Sequence, residues 1–185
     1  MKSRPSKKTP EVVDAFVERI EPKLRELTGH DEIGKTLRRT IGAFQDQAFD
    51  HLTVLYLGGI KINDATATFY MNAWTAGTGT YLSMDACLTE AVKKWVIEEG
   101  VRIPCAEKQK AAFVHPDLSG IAYGECIAAF AAEARAVMKI VFPGGDVKHF
   151  WVPAEDIKKV EKDGKWIDVD PVRPFVGFTR EAAPA

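Results

Sequence analysis

Ala136-Val-Met-Lys-Ile-Val-Phe142-Pro-Gly-Gly-Asp146-Val-Lys-His-Phe-Trp-Val152 is the stretch that decides the fold class of this chain. Its residues alternate. Met138, Ile140 and Phe142 share one side of an extended segment, and Val137, Lys139 and Val141 share the other. Pro143-Gly144-Gly145-Asp146 supplies the tolerance of positive φ that a reversal needs, and Val147 to Val152 then runs back as a partner strand. Upstream of residue 136 the apolar spacing is instead three or four, the period of a helix. The fold class expected is α+β: a mostly helical body over residues 9–136, then a small antiparallel β-hairpin or meander near the C-terminus, over residues 136–170.

Working outward toward the C-terminus, Pro153-Ala-Glu-Asp156 begins a helical turn. Asp163-Gly164 then turns into Lys165-Trp-Ile-Asp-Val169 as a third strand. Residues 171–185, with Pro171, Pro174 and a final Ala-Ala-Pro-Ala, read as an irregular tail.

Toward the N-terminus, residues 125–136 are alanine-rich and helical by period, with Ile127, Phe130 and Ala134 on one face. Pro104 opens a short helix to about residue 114, broken by His115-Pro116-Asp117. Ser83 caps an amphipathic helix through Met84, Leu88, Val92, Trp95 and Val96 that ends at Gly100. Residues 64–76 balance strand-favouring Thr66, Thr68 and Tyr70 against a helical pattern framed by Asp64 and Gly77, and lean to helix. Ile33, Leu37, Ile41, Phe44, Ala48, Leu52 and Leu55 form one stripe, which predicts a single long helix stopped by Gly58-Gly59. The alternative makes Thr53 to Leu57 a strand. Thr9-Pro10 reads as a cap with proline at the first helical position. The stripe of Val13, Phe16, Val17, Ile20, Leu24 and Leu27 follows it, with Pro22 as a kink or a restart. Residues 9–170 are expected to form one domain.

The composition, 46% hydrophobic and 28% charged, is that of a folded chain rather than a disordered one. A net charge of -1 argues against a uniformly basic nucleic-acid binder, although a partner feels the local field. No apolar run reaches the roughly 18 to 20 residues of a membrane span, so no membrane association is expected. Cys87, Cys105 and Cys126 are odd in number and lack paired spacing, which suits a reducing, cytoplasmic setting.

Catalytic signals are sparse. Cys105 follows Pro104 at an expected helix start, where dipole and free N–H groups favour a thiolate, and His115 could act as its base. The competing reading is a structural cysteine, and it is the preferred one. His30, His51, His115 and His149 are scattered without ligand spacing, so neither a metal nor a cofactor is expected. Gly77-Thr-Gly79-Thr lacks the ending of a phosphate-binding loop and reads as a connector. Glu90, Glu98, Glu99 and Asp117 read as solvated helix faces.

Cations give the stronger signal. Lys2, Arg4, Lys7 and Lys8 form a basic arm over residues 1–8 with no acid among them, expected to be mobile. Lys35, Arg38 and Arg39 cluster on the polar face of the long helix. Lys139, Lys148 and His149 stand beside Phe150 and Trp151, as in proteins on whose rings single-stranded bases stack. The acidic residues between Glu155 and Asp170 oppose phosphate there. The leading expectation is a non-enzymatic binding protein that contacts nucleic acid through Lys2, Arg4, Lys7, Lys8, Lys35, Arg38, Arg39, Lys148 and Trp151. The alternatives are a protein–protein interaction or inhibitor module without nucleic-acid affinity, and an enzyme using Cys105. The opening Arg4-Pro-Ser-Lys-Lys-Thr-Pro-Glu-Val-Val13 is similar to that of some phage DNA-packaging small subunits. No helix-turn-helix of the expected length follows it, so no family is assigned. Small size, a basic arm and the lack of an enzyme motif are compatible with a phage or mobile-element accessory protein.

Overall fold

The computed structural model describes residues 2–43, 47–76 and 80–171. The fold is α+β, with five α-helices followed by a six-stranded antiparallel sheet among the described residues. The chain divides into two compact units, Lys2–Val92 and the segment from Lys93 onward.

In the first unit, α1 (Pro10–Thr28) starts with proline at its first turn and runs through Pro22 as one helix. It ends at Gly29, whose φ of 67° suits a residue without Cβ and whose N–H donates to the Arg25 carbonyl at 2.8 Å. The long helix expected from residue 33 is two helices, α2 (Ile33–Ala43) and α3 (Ala48–Leu57). Gln47 is extended, with φ -112° and ψ 114°; Phe44, part of the expected stripe, lies outside the described residues. The stripe persisted in sequence because both helices bury into the same core: Ile33, Leu37 and Ile41 from one, Ala48, Leu52 and Leu55 from the other. A periodic pattern records which residues face a core and carries no mark of a break between two helices that share it. Gly58 and Gly59 end α3 as expected.

Residues 64–75 are helical, as α4 (Asp64–Thr75). Asn63 caps it by accepting the Thr66 N–H at 2.8 Å and the Thr66 hydroxyl at 2.9 Å. Ser83 Oγ accepts the Ala86 N–H at 3.0 Å and starts α5 (Met84–Glu99). The core of this unit gathers Phe16, Tyr70 and Trp74 in a ring cluster with His51, whose Nδ1 is 2.8 Å from the Tyr70 hydroxyl. Pairing the two polar groups with each other lets both be fully buried.

The second unit corrects two expectations. Residues 104–114 are not helical: a turn at 106–109 leads into β1 (Lys110–Val114). Residues 125–136 are not helical either. They hold most of β2 (Ile121–Phe130), a 3₁₀ turn (Ala131–Glu133) and the start of β3 (Arg135–Val141). Alanine is the best helix former, but propensity amounts to less than about 1 kcal/mol per residue, and a ladder with partners on both sides overrides it. The β unit therefore begins at Lys110 and is larger than the hairpin or meander expected from residue 136.

The hairpin itself is as expected. β3 pairs with β4 (Val147–Pro153), with Met138 opposite Phe150 and Lys139 opposite His149, and Gly144 and Gly145 at φ 108° and 91° make the turn. The 3₁₀ turn Ala154–Asp156 follows, then β5 (Ile157–Lys162) and β6 (Lys165–Asp168). The strand order is β4-β3-β2-β1-β5-β6. One face of this sheet is a core of Ala111, Phe113, Cys126, Ala136, Met138, Ile140, Phe150, Val152, Ile157 and Val160. The other is open.

Candidate interaction face of the sheet

Cross-strand register defines the open face. Lys110 stands opposite Glu125, and Glu125 opposite Lys139; Ala112 stands between Tyr123 and Lys159; Glu161 stands opposite Trp166. Because directly paired residues share a face, Lys110, Ala112, Tyr123, Glu125, Lys139, Lys159, Glu161 and Trp166 all project from the same side. A bulge in β2 between Cys126 and Ala128 restores this side to Phe130, which pairs with Arg135. Trp151 joins through its pairing with Val137.

The face is concave. Neighbouring strands lie about 4.7–4.9 Å apart, so three steps on a flat sheet would separate β2 from β6 by roughly 14 Å. Yet the Tyr123 and Trp166 rings meet edge to face with centroids 5.2 Å apart. The two side chains lean toward each other over β1 and β5, and the groove they border is the concave part of this face. Ala112, fully buried on this side, leaves the space between the rings open; Gly124, on the core side of β2, lets β2 approach β3 closely. A Cβ at Gly124 would stand 2.7 Å from the Lys139 carbonyl oxygen.

Two aromatic clusters result. Tyr123 and Trp166, 59% and 42% exposed, border a shallow groove of about 250 Å³ lined also by Lys110, Gly124, Glu125, Lys139 and Val141. At the other end Phe130 and Trp151 lie 5.1 Å apart, 41% and 49% exposed, and the Arg135 guanidinium sits 4.2 Å over the Trp151 ring. None of these four rings is in the core. The charges of the face are balanced: Lys110 pairs with Glu161 at 3.3 Å, Lys159 with Asp168 at 3.2 Å, and Arg135 with Glu133.

The residues singled out from sequence are distributed differently. Lys148 pairs with Ile140 and so projects from the face opposite Trp151, its ammonium 5.6 Å over the Phe142 ring. Phe150 is core. In the helical unit, Lys7 pairs with Asp85 at 2.8 Å and lies 5.6 Å over Trp74. Arg38 bridges Asp14 at 2.9 Å and Glu21 at 3.8 Å. Lys2, Lys8, Lys35 and Arg39 are exposed, and Arg4 is half-buried.

Cys105 is buried and interacts with Cys126. That interaction, reinforced by burial, pushes its thiol far above the ordinary range, the reverse of an activated nucleophile. His115 is engaged elsewhere: Nδ1 accepts the Asp117 N–H at 3.2 Å, and the ring meets Phe150 at 5.0 Å. Gly77 to Gly79, the connector of the sequence reading, lies outside the described residues, as does the tail beyond Pro171.

Among the described residues no three His, Cys, Asp or Glu side chains are grouped to hold a metal ion, and no helix is long and apolar enough to cross a membrane. Sequence reasoning missed Tyr123, Trp166, Phe130 and Arg135. The alternation of Ile121, Tyr123 and Glu125 was the available signal. Comparison with protein-family models, with curated proteins and with solved structures finds no match to this chain.

Proposed function

We propose that the protein is a non-enzymatic interaction module that takes an extended segment of another polypeptide on the concave face of its sheet. The observation that carries this reading is four exposed aromatic rings on one face whose cations are matched by carboxylates. Tyr, Trp and Arg are the side chains that dominate the energetics of protein–protein contacts. A polyphosphate backbone asks for a surplus of cations, because its affinity comes from neutralising successive phosphates. Here Lys110, Lys159 and Arg135 are already paired, and Lys139 faces Glu125 across the β2–β3 ladder. A peptide suits such a surface better. It offers apolar side chains to Tyr123 and Trp166, carbonyls to their indole N–H and phenol O–H, and charges of both signs to Lys139 and Glu125. Three unbridged cysteines fit a reducing, cytoplasmic setting.

The test is selection from a random peptide library displayed on phage, run in parallel on the wild type and on the Tyr123→Ala/Trp166→Ala double variant. Peptides enriched on the wild type and lost on the double variant, with its circular dichroism unchanged, support the reading. No enrichment, or the same peptides on both proteins, rejects it. A fluorescence-anisotropy titration with single-stranded DNA and RNA 20-mers at two salt concentrations runs beside it. Tight binding that weakens steeply with salt would put the nucleic-acid reading, through Lys2, Arg4, Lys7, Lys8, Lys35, Arg38, Arg39, Lys148 and Trp151, in its place.

A further inference from the structure

Cys105 and Cys126 belong to one buried cluster, and the Cys126 Sγ donates to the Ala128 carbonyl at 3.5 Å. The backbone explains how residues far apart in sequence meet. Lys108 N–H donates to the Cys126 carbonyl at 2.6 Å, and Cys126 N–H donates to the Gln109 carbonyl at 2.9 Å. Two residues thus oppose one, and Lys108 has φ 66°, the geometry of a β-bulge in which the first residue is left-handed. Gln109 closes the turn from both ends, its N–H donating to the Ala106 carbonyl at 3.1 Å and its Oε1 accepting the Ala106 N–H at 3.0 Å. The bulge and turn lay Cys105 against Cys126. Cys87 is in the other unit's core and takes no part.

We infer that Cys105 and Cys126 are a redox modification site, which a peroxide oxidises to an intrachain disulfide. The Cys126 sulfur attacks one peroxide oxygen, the O–O bond breaks, and a sulfenic acid and one water form. The Cys105 sulfur then attacks the Cys126 sulfur, and the S–O bond breaks. The departing hydroxide takes the Cys105 proton and leaves as a second water. Two thiols and one hydrogen peroxide become one disulfide and two waters. Cys126 is placed first because its interaction with Cys105 holds its thiol below the ordinary range and favours the thiolate. Both sulfurs are buried, so the turn at 106–109 must open for peroxide to enter, and the reaction should be slow and selective. The bridge ties the segment before β1 to β2, the strands that carry Lys110 and Tyr123 of the groove.

The experiment treats the full chain with hydrogen peroxide, blocks remaining thiols with iodoacetamide and measures intact mass and peptide linkage. The expected product is two hydrogens lighter before blocking, carries one label on Cys87, yields a Cys105–Cys126 linked peptide and reverts with dithiothreitol. Its thermal midpoint should rise by several degrees over the reduced protein, as loop-closing bridges commonly produce. In Cys105→Ala the reaction should stop at a Cys126 sulfenic acid, trapped by dimedone. Sulfinic acid as the main wild-type product, a bridge to Cys87 or between chains, or no oxidation of either cysteine would overturn the inference. Mapping on the wild type decides the matter even if the variant fails to fold.

Discussion

Replacing Gly124 by alanine tests the close approach of β2 and β3 beneath the candidate face. The added Cβ would sit 2.7 Å from the Lys139 carbonyl oxygen and 3.2 Å from both Ile140 Cγ1 and Phe113 Cε1. The two side-chain atoms can give way by a few tenths of an ångström. The carbonyl cannot do so alone, because it belongs to β3, which is laddered to β2 on one side and β4 on the other. Overpacking of this kind costs about 1–3 kcal/mol. Removing a glycine also restricts the unfolded chain, which returns about 0.4–1 kcal/mol. The expected net effect is a loss of about 1–2 kcal/mol. Gly42 provides the opposite control: it is helical, and nothing lies within 4 Å of a Cβ there. Gly42→Ala should stabilise by about 0.5–1 kcal/mol. Both variants are compared with the wild type by urea unfolding. The 222 nm signal follows the helices, and the near-ultraviolet signal adds Trp151 and Trp166 of the sheet to Trp74 and Trp95 of the helices, so a transition in the second that is absent from the first reports the sheet; two compact units need not unfold together. A Gly124→Ala midpoint equal to or above the wild type would refute the reasoning, because β2 and β3 would then have room that their close approach does not leave.

Leu37, fully buried on α2, should cost about 2–5 kcal/mol when cut to alanine. Its neighbour Arg38, in partly exposed ion pairs with Asp14 and Glu21, should cost less than about 1 kcal/mol; equal midpoints for the two variants in urea would contradict a buried stripe. Tyr70→Phe removes the hydroxyl 2.8 Å from His51 Nδ1 in a fully buried position and should destabilise the helical unit by about 1–3 kcal/mol, read from the 222 nm melt. An unchanged melt would mean that this polar pair is not what the core is built around.

What was legible in the sequence is what local period records. Met138, Ile140 and Val137, Lys139 alternate because β3 has one buried and one open face, and the glycine pair at 144 and 145 has the positive φ that the turn needs. Ser83 marks a helix start through a bond made within three residues; Asn63 does the same for α4, where the sequence reading looks to Asp64. What failed is what period cannot record. The break between α2 and α3 falls inside a stripe that both helices share, so the pattern reads as continuous. In β2 the bulge after Cys126 shifts the alternation by one residue, and Ala128, Ala129 and Phe130 then fit a helical spacing as well as an extended one. The short β1 has Ala111, Ala112 and Phe113 all buried, because its two small residues are covered on opposite faces of the sheet. No alternation remains to be seen.

The candidate site was hidden for a different reason. Tyr123 and Trp166 are separated in the chain by the whole β3–β4 hairpin and by β5, and they meet only because β5 returns to pair with β1 instead of extending the hairpin. Sequence reasoning found Trp151 by its position beside Lys148 and His149, yet adjacency along a strand places neighbours on opposite faces. Lys148 was therefore the wrong partner. The cation that reaches Trp151 is Arg135, from the start of β3, on the same side of the sheet. The same rule settles the charge of the face. Counted along the chain, Lys139, Lys148 and His149 look like a basic patch. Counted across the ladder, Lys139 faces Glu125 and Lys110 faces Glu161, and the patch becomes a mixed surface. A ligand sees the ladder, and this is the ground on which a polypeptide is proposed over a nucleic acid.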